Sequence, residues 1–152
     1  MPQQTKDTPA MVHITRRETF NAAHRLFRPE WDDARNLEVF GKCSNFQWYG
    51  HNYVLYVTVK GPVDPHTGFV VNLKALSGLI REQVISKLDH ANINVEVDFM
   101  KGRMASSENL AVGIWEQLEK PIRELGAVLH RVRLEETENN FVEYFGKNSN
   151  QS

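Results

Sequence analysis

Cysteine is nearly absent: the 152 residues contain one, Cys43, so no intrachain disulfide can form. A reducing, cytoplasmic setting is the expectation for such a chain. Long hydrophobic runs are also missing. No apolar stretch approaches the length of a membrane span, and the polar opening Met1 to Pro9 lacks the apolar centre of a secretory signal. Charge of one sign is not in excess, with 18 Lys and Arg against 19 Asp and Glu and a formal net charge of -1. That balance excludes the basic field by which proteins capture nucleic acid or anionic membrane, and neither partner is expected. Repeats and low-complexity segments are lacking too.

What is present is enough chain for one domain with a sizeable core. Residues 1–11 and 147–152 carry few apolar side chains that could offset the entropy of ordering them, so both ends are expected to fray around a single domain at 12–146. Val12, Ile14, Phe20, Ala22 and His24 fall on one side of an alternating stretch, which predicts a strand ending at a histidine. Arg25 to Phe40 reads as a long irregular connection. Tyr53, Leu55, Val57 and Val59 alternate in a second strand closed by Gly61-Pro62. Asn72 is a plausible cap for a helix marked by Leu73, Leu76, Ile80, Val84 and Leu88, with Asp89 and His90 just past its end. Ser107 as cap and Glu108 in the first turn announce a second helix, which Pro121 should end or restart. Val128, His130, Val132, Leu134 and Glu136 share one face of a third strand, and Phe141 to Phe145 return as a fourth after a polar turn. The order β-β-α-α-β-β predicts an α+β fold, a four-stranded antiparallel sheet with two helices on one face.

The chemistry concentrates between Gly41 and Tyr53. A loop thiol, Cys43, precedes Tyr49-Gly50-His51, and residues two apart in an extended strand point the same way, so Tyr49 and His51 can reach one point. Several motifs stand in order around it: Thr19-Phe20-Asn21-Ala22-Ala23-His24, Phe40-Gly41-Lys42-Cys43, Gly50-His51-Asn52-Tyr53, Asp64-Pro65-His66-Thr67-Gly68, Leu88-Asp89-His90, Ser106-Ser107-Glu108-Asn109 and Glu136-Thr137-Glu138. In this register the chain resembles the 6-pyruvoyl-tetrahydropterin synthase family over roughly residues 12 to 146, a match that rests on many motifs in context rather than on one.

The resemblance implies the tunnelling fold, with protomers joined edge to edge in rings and two rings stacked into a homohexamer, a dimer of trimers with active sites at subunit boundaries. It implies a zinc-dependent lyase that converts 7,8-dihydroneopterin triphosphate to 6-pyruvoyl-tetrahydropterin with loss of triphosphate, on the path to tetrahydrobiopterin. Zinc in that family is held by three histidines. His24 and His51 match two of them, while the third place is taken by Tyr49, which would ligate only as a phenolate of much lowered pKa. The alternatives at Tyr49 are a packed aromatic, a two-histidine site completed by water, or no zinc. By the same resemblance Cys43 is the base in a relay with Asp89 and His90, and Glu136 accepts from the two donors on the pterin ring. The cluster Ser106, Ser107 and Glu108 caps a helix and also lines the pterin pocket. Rival readings are a 6-carboxy-tetrahydropterin synthase, whose spacer after the cysteine is typically three residues rather than the five from Ser44 to Trp48 here, and a pterin-binding protein with an impaired zinc site. His13, His66 and His130 match no catalytic position and are read as structural.

Overall fold

The computed structural model describes residues 8–45 and 49–147, without the side chain of Tyr49. The fraying expected at residues 1–7 and 148–152, the bulky lip Phe46 to Trp48 and ligation by Tyr49 therefore fall outside the described residues, while Met11, placed in the N-terminal tail from sequence, pairs with Pro62. Strand β1 spans Met11–His24, β2 Tyr49–Pro62, β3 Ala91–Asn92, β4 Val128–Glu135 and β5 Phe141–Tyr144. They form one sheet in the order β3-β1-β2-β4-β5. The four strands expected are there, joined by three antiparallel pairings, and a fifth member, the two-residue β3, runs parallel to β1 at Ala22 and Ala23. The sheet is thus five-stranded and mixed rather than four-stranded and antiparallel. Two residues carry no legible alternation, which is why β3 left no trace in the sequence.

Helices cover one face. Helix α1 is Asp33–Phe40 and continues as a 3-10 turn, Gly41–Ser44, where the sequence had suggested only irregular connection. Its start is marked by Asp32, whose carboxylate accepts from the Arg35 N–H at 2.8 Å, a cap concealed by the weak apolar periodicity that follows it. Helix α2, Leu73–Ile80, begins at the predicted cap Asn72 and runs through a π-turn, Arg81–Ile85, into Ser86–Leu88. Leu76, Ile80, Val84 and Leu88 are all fully buried at a strict four-residue spacing. On a 3.6-residue helix such a row drifts around the axis, and the wider turn brings Val84 and Leu88 back onto the core. Leu73 lies outside that row and is 54% exposed.

Helix α3 is Ser107–Glu124. Its cap is Ser106, one residue earlier than predicted, with the side chain accepting from the Asn109 N–H at 3.2 Å. Pro121 neither ends nor restarts it, because a proline within the last turn removes one hydrogen bond close to where the ladder stops. The core lies between α2, α3 and the inner face of β1, β2 and β4, where Tyr53, Leu55, Val57, Val132 and Leu134 are fully buried. In β4 the predicted alternation fails at its start: Leu129 is buried and Val128 is 52% exposed. The register with β2 shifts at Thr58/Val59, pairing Arg131 and then Leu129 with successive β2 residues, so His130 is the extra residue of a bulge.

Candidate metal centre and pterin site

Sheet parity builds the site. Phe20, Ala22 and His24 point inward from β1, Tyr53 and His51 from β2, and Val132, Leu134 and Glu136 from β4 and the residue beyond it. Because β1 and β4 both run antiparallel to β2, the ends of the first two lie beside the start of the third. His24, His51 and Glu136 thereby meet at one rim of the sheet. One ligand atom from each lies within 4.8 Å of the others. Glu136 Oε1 is 3.0 Å from His51 Nε2 and 3.5 Å from His24 Nε2, and the two imidazole centroids are 5.0 Å apart.

The orientation of His24 is fixed from behind. Its side chain is 1% exposed, and Nδ1 lies 2.6 Å from the carbonyl oxygen of Ala105 in the loop that feeds α3. A carbonyl only accepts, so a hydrogen sits on Nδ1, and Nε2 is turned toward His51 and Glu136. This backbone hold on the far nitrogen is the arrangement that orients metal-ligating histidines. The Nε2 atom of His24 is buried and makes no hydrogen bond among the described residues. The donor set, two imidazoles and a carboxylate facing a common point, fits a divalent cation such as zinc.

Electrostatics agree with that use. Burial, partly opposed by the Glu136 charge and reinforced by His24, holds the His51 pKa below its ordinary value. Glu136 is held below the usual carboxylate range by its contact with His24, against burial and with help from His51 and the hydroxyl of Ser107. Tyr53 is pushed well above the ordinary phenol value by burial, with the Glu136 charge adding to it, and remains a neutral donor. Its hydroxyl and that of Ser107 are buried without a hydrogen-bond partner among the described residues, as expected of groups that wait for a ligand. Tyr53 was not singled out from sequence as a site residue. The available signal was a single phenol on an otherwise aliphatic buried face.

Cys43 lies on the 3-10 turn and is half-buried. The turn is tied to the residues that follow His24: Leu26 N–H donates to the Cys43 carbonyl at 2.6 Å, and Arg25 Nε donates to the Ser44 carbonyl at 2.8 Å. Burial and then the Glu136 charge push the thiol above its ordinary value. Asp89 and His90 are brought to each other, not to Cys43. His90 Nδ1 is 3.1 Å from Asp89 Oδ2, and Asp89 Oδ1 accepts from the Asn21 N–H at 2.9 Å. Asn21 has the opposite strand parity to His24, and the His90 side chain is 82% exposed at a positive φ of 61°. No hydrogen bond or ion pair joins this pair to Cys43 among the described residues. Of the serine cluster, Ser106 caps α3, Ser107 is buried facing Glu136 and Tyr53, and Glu108 is exposed. His13 and His130 stack on each other with centroids 4.4 Å apart, away from the site.

Fold and site together define an α+β chain with a candidate metal centre at its strand ends. The 6-pyruvoyl tetrahydropterin synthase family model matches residues 13–147, and the chain belongs to that family. It is 44% identical over 140 residues to a Drosophila melanogaster protein named 6-pyruvoyl tetrahydrobiopterin synthase, covering 90% of this chain and 80% of the relative. A Homo sapiens protein of the same name is 42% identical over 136 residues, covering 90% and 92%. The solved 6-pyruvoyl tetrahydropterin synthase of Caenorhabditis elegans superposes with a TM-score of 0.84 at 38% identity, covering 91% of this chain and 98% of that one. Among the described residues no helix is long and apolar enough to cross a membrane.

Proposed function

We propose that the protein is a cytoplasmic, zinc-dependent lyase that converts 7,8-dihydroneopterin triphosphate to 6-pyruvoyl-tetrahydropterin and triphosphate, working as a homohexamer. The observation that carries this reading is the convergence of His24, His51 and Glu136 beside a thiol, in a chain about two-fifths identical to proteins named for that synthase. His24 and His51 would hold the zinc. When bound, the ion supplies Lewis-acid polarisation of the substrate's side-chain oxygens.

The residues of the chain do the rest. Glu136 accepts from the pterin's 2-amino group and ring N–H, the buried hydroxyls of Ser107 and Tyr53 donate to its acceptors, and the Ser106 to Glu108 turn walls the ring. Cys43, whose thiolate a bound cation would favour against the burial and the Glu136 charge that raise its pKa, takes the proton from the polarised side-chain carbon. The Asp89–His90 pair returns protons, with the carboxylate orienting the imidazole. Since that pair is exposed in one chain, it serves the Cys43 of a neighbouring protomer, which agrees with active sites at subunit boundaries. The first side-chain carbon is oxidised to a ketone as the ring is reduced from dihydro to tetrahydro, and elimination of triphosphate followed by enol-to-ketone tautomerisation oxidises the second carbon while reducing the third to a methyl, so no external redox cofactor enters. Product analysis on dihydroneopterin triphosphate tests the reading: 6-pyruvoyl-tetrahydropterin with released triphosphate is expected, whereas acetaldehyde release would assign the carboxy-forming reaction instead.

A further inference from the structure

The reading above leaves the zinc with two imidazoles and Tyr49 at the third place. We infer that Glu136 itself is the third metal ligand, through Oε1, so that the centre is a two-histidine, one-carboxylate site. This rests on the proposal that the site holds a divalent cation.

Three observations carry it. The Nδ1 hydrogen of His24 is committed to the Ala105 carbonyl at 2.6 Å, so the ring is held with its Nε2 facing Glu136 Oε1 at 3.5 Å. A cation between the buried Nε2 and the carboxylate would satisfy both. The spacing suits such a cation. Ligands at about 2.0 to 2.2 Å from a tetrahedral zinc stand roughly 3.3 to 3.5 Å apart, and Oε1 lies 3.0 Å from one Nε2 and 3.5 Å from the other. Finally, Glu136 follows directly on β4, so the three donors come from the ends of three different strands, β1, β2 and β4. Two histidines and one carboxylate with an open position is a donor set found in hydrolytic zinc enzymes. The charge is also favourable: two neutral imidazoles and one carboxylate reduce a doubly charged ion to a net single charge, without requiring a phenolate.

Zinc titration in competition with a chromophoric chelator tests this, on metal-stripped protein without pterin. Parent, Glu136→Gln, Glu136→Asp, Tyr49→Phe and His24→Ala proteins are compared, with far-UV circular dichroism as the folding control. Loss of a ligand exceeds the 10- to 100-fold loss typical of outer-shell changes, so Glu136→Gln is expected to weaken zinc binding by at least about 100-fold. Glu136→Asp, which retracts the carboxylate by one methylene, should fall between it and the parent. Tyr49→Phe should stay within about twofold. Zinc affinity unchanged in Glu136→Gln, with pterin fluorescence titration showing lost pterin binding, overturns the inference and leaves the metal reading intact. So does a loss that appears in Tyr49→Phe instead. Parent binding no tighter than His24→Ala overturns the metal reading and this inference together.

Discussion

Asn94 is the residue whose removal should most clearly separate the scaffold of the site from its chemistry. Its side-chain amide does for β1 what a further strand residue would do. Oδ1 accepts from the Arg25 N–H at 2.9 Å and Nδ2 donates to the Arg25 carbonyl at 2.9 Å, where the two-residue β3 has just run out. Arg25 follows His24 directly, and the Leu26 N–H in turn holds the Cys43 carbonyl. Asn94→Ala therefore releases both backbone groups of the residue that ties the metal ligand to the thiol turn. Each lost hydrogen bond contributes about 1 kcal/mol net, and because the site is half-buried, water replaces part of the loss, giving about 2 kcal/mol in all. For a domain of this size that lowers the melting temperature by about 4 to 8 °C. Thermal unfolding followed by circular dichroism, at fixed protein concentration, measures it. Zinc affinity should fall as well, because His24 loses its fixed approach, although Asn94 touches no ligand atom. A variant that melts within about 1 °C of the parent and binds zinc unchanged would refute the idea that this amide clamp sets the geometry.

Three further perturbations follow from the same structure. Gly146 has a φ of 95°, and a Cβ built there would lie 2.8 Å from Trp115 Cζ2; Gly146→Ala should cost about 1 to 3 kcal/mol, read from urea unfolding, and a change under about 0.5 kcal/mol would contradict the packing. The folded His51 pKa lies below its unfolded value of about 6.5, so the native state binds fewer protons than the unfolded chain. That contribution is present above the unfolded value and is lost as pH falls below it, so the metal-free parent should lose melting temperature between pH 7.5 and about 5.5, more steeply than His51→Gln does; equal slopes would remove His51 from the account. Cys43→Ala should lower turnover by about 10² to 10⁴-fold, the range of a lost general base, with zinc content and pterin affinity retained, and undiminished turnover would exclude the thiol as the base.

Much of this site can be read from strand parity alone. His24, His51 and Glu136 each sit two residues from a buried apolar neighbour on the same face, and alternation carries that phase to the strand ends where they meet. What alternation does not convey is which ends are adjacent in space, since that depends on β2 lying between β1 and β4. The orienting role of the Ala105 carbonyl leaves no mark in side-chain identities, and neither does the clamp formed by Asn94, because both act on or through backbone groups. The bulge at His130 defeats a period-two reading by adding one residue. The π-turn in the Leu73 to Leu88 stretch was implied by its four-residue spacing, and a plain helical template absorbed it. Asp89 and His90 are adjacent in sequence and in space, but no hydrogen bond or ion pair joins them to Cys43 among the described residues, so sequence order gives no guide to that relation.

The central claim is that His24 and His51 grip one divalent cation through their Nε2 atoms. X-ray diffraction from zinc-loaded crystals, with anomalous differences collected on either side of the zinc edge, tests it most directly. The account predicts a single anomalous peak per chain about 2.0 to 2.1 Å from both Nε2 atoms, the usual zinc-to-imidazole distance. A peak seated elsewhere, or none beside these two rings, would contradict it.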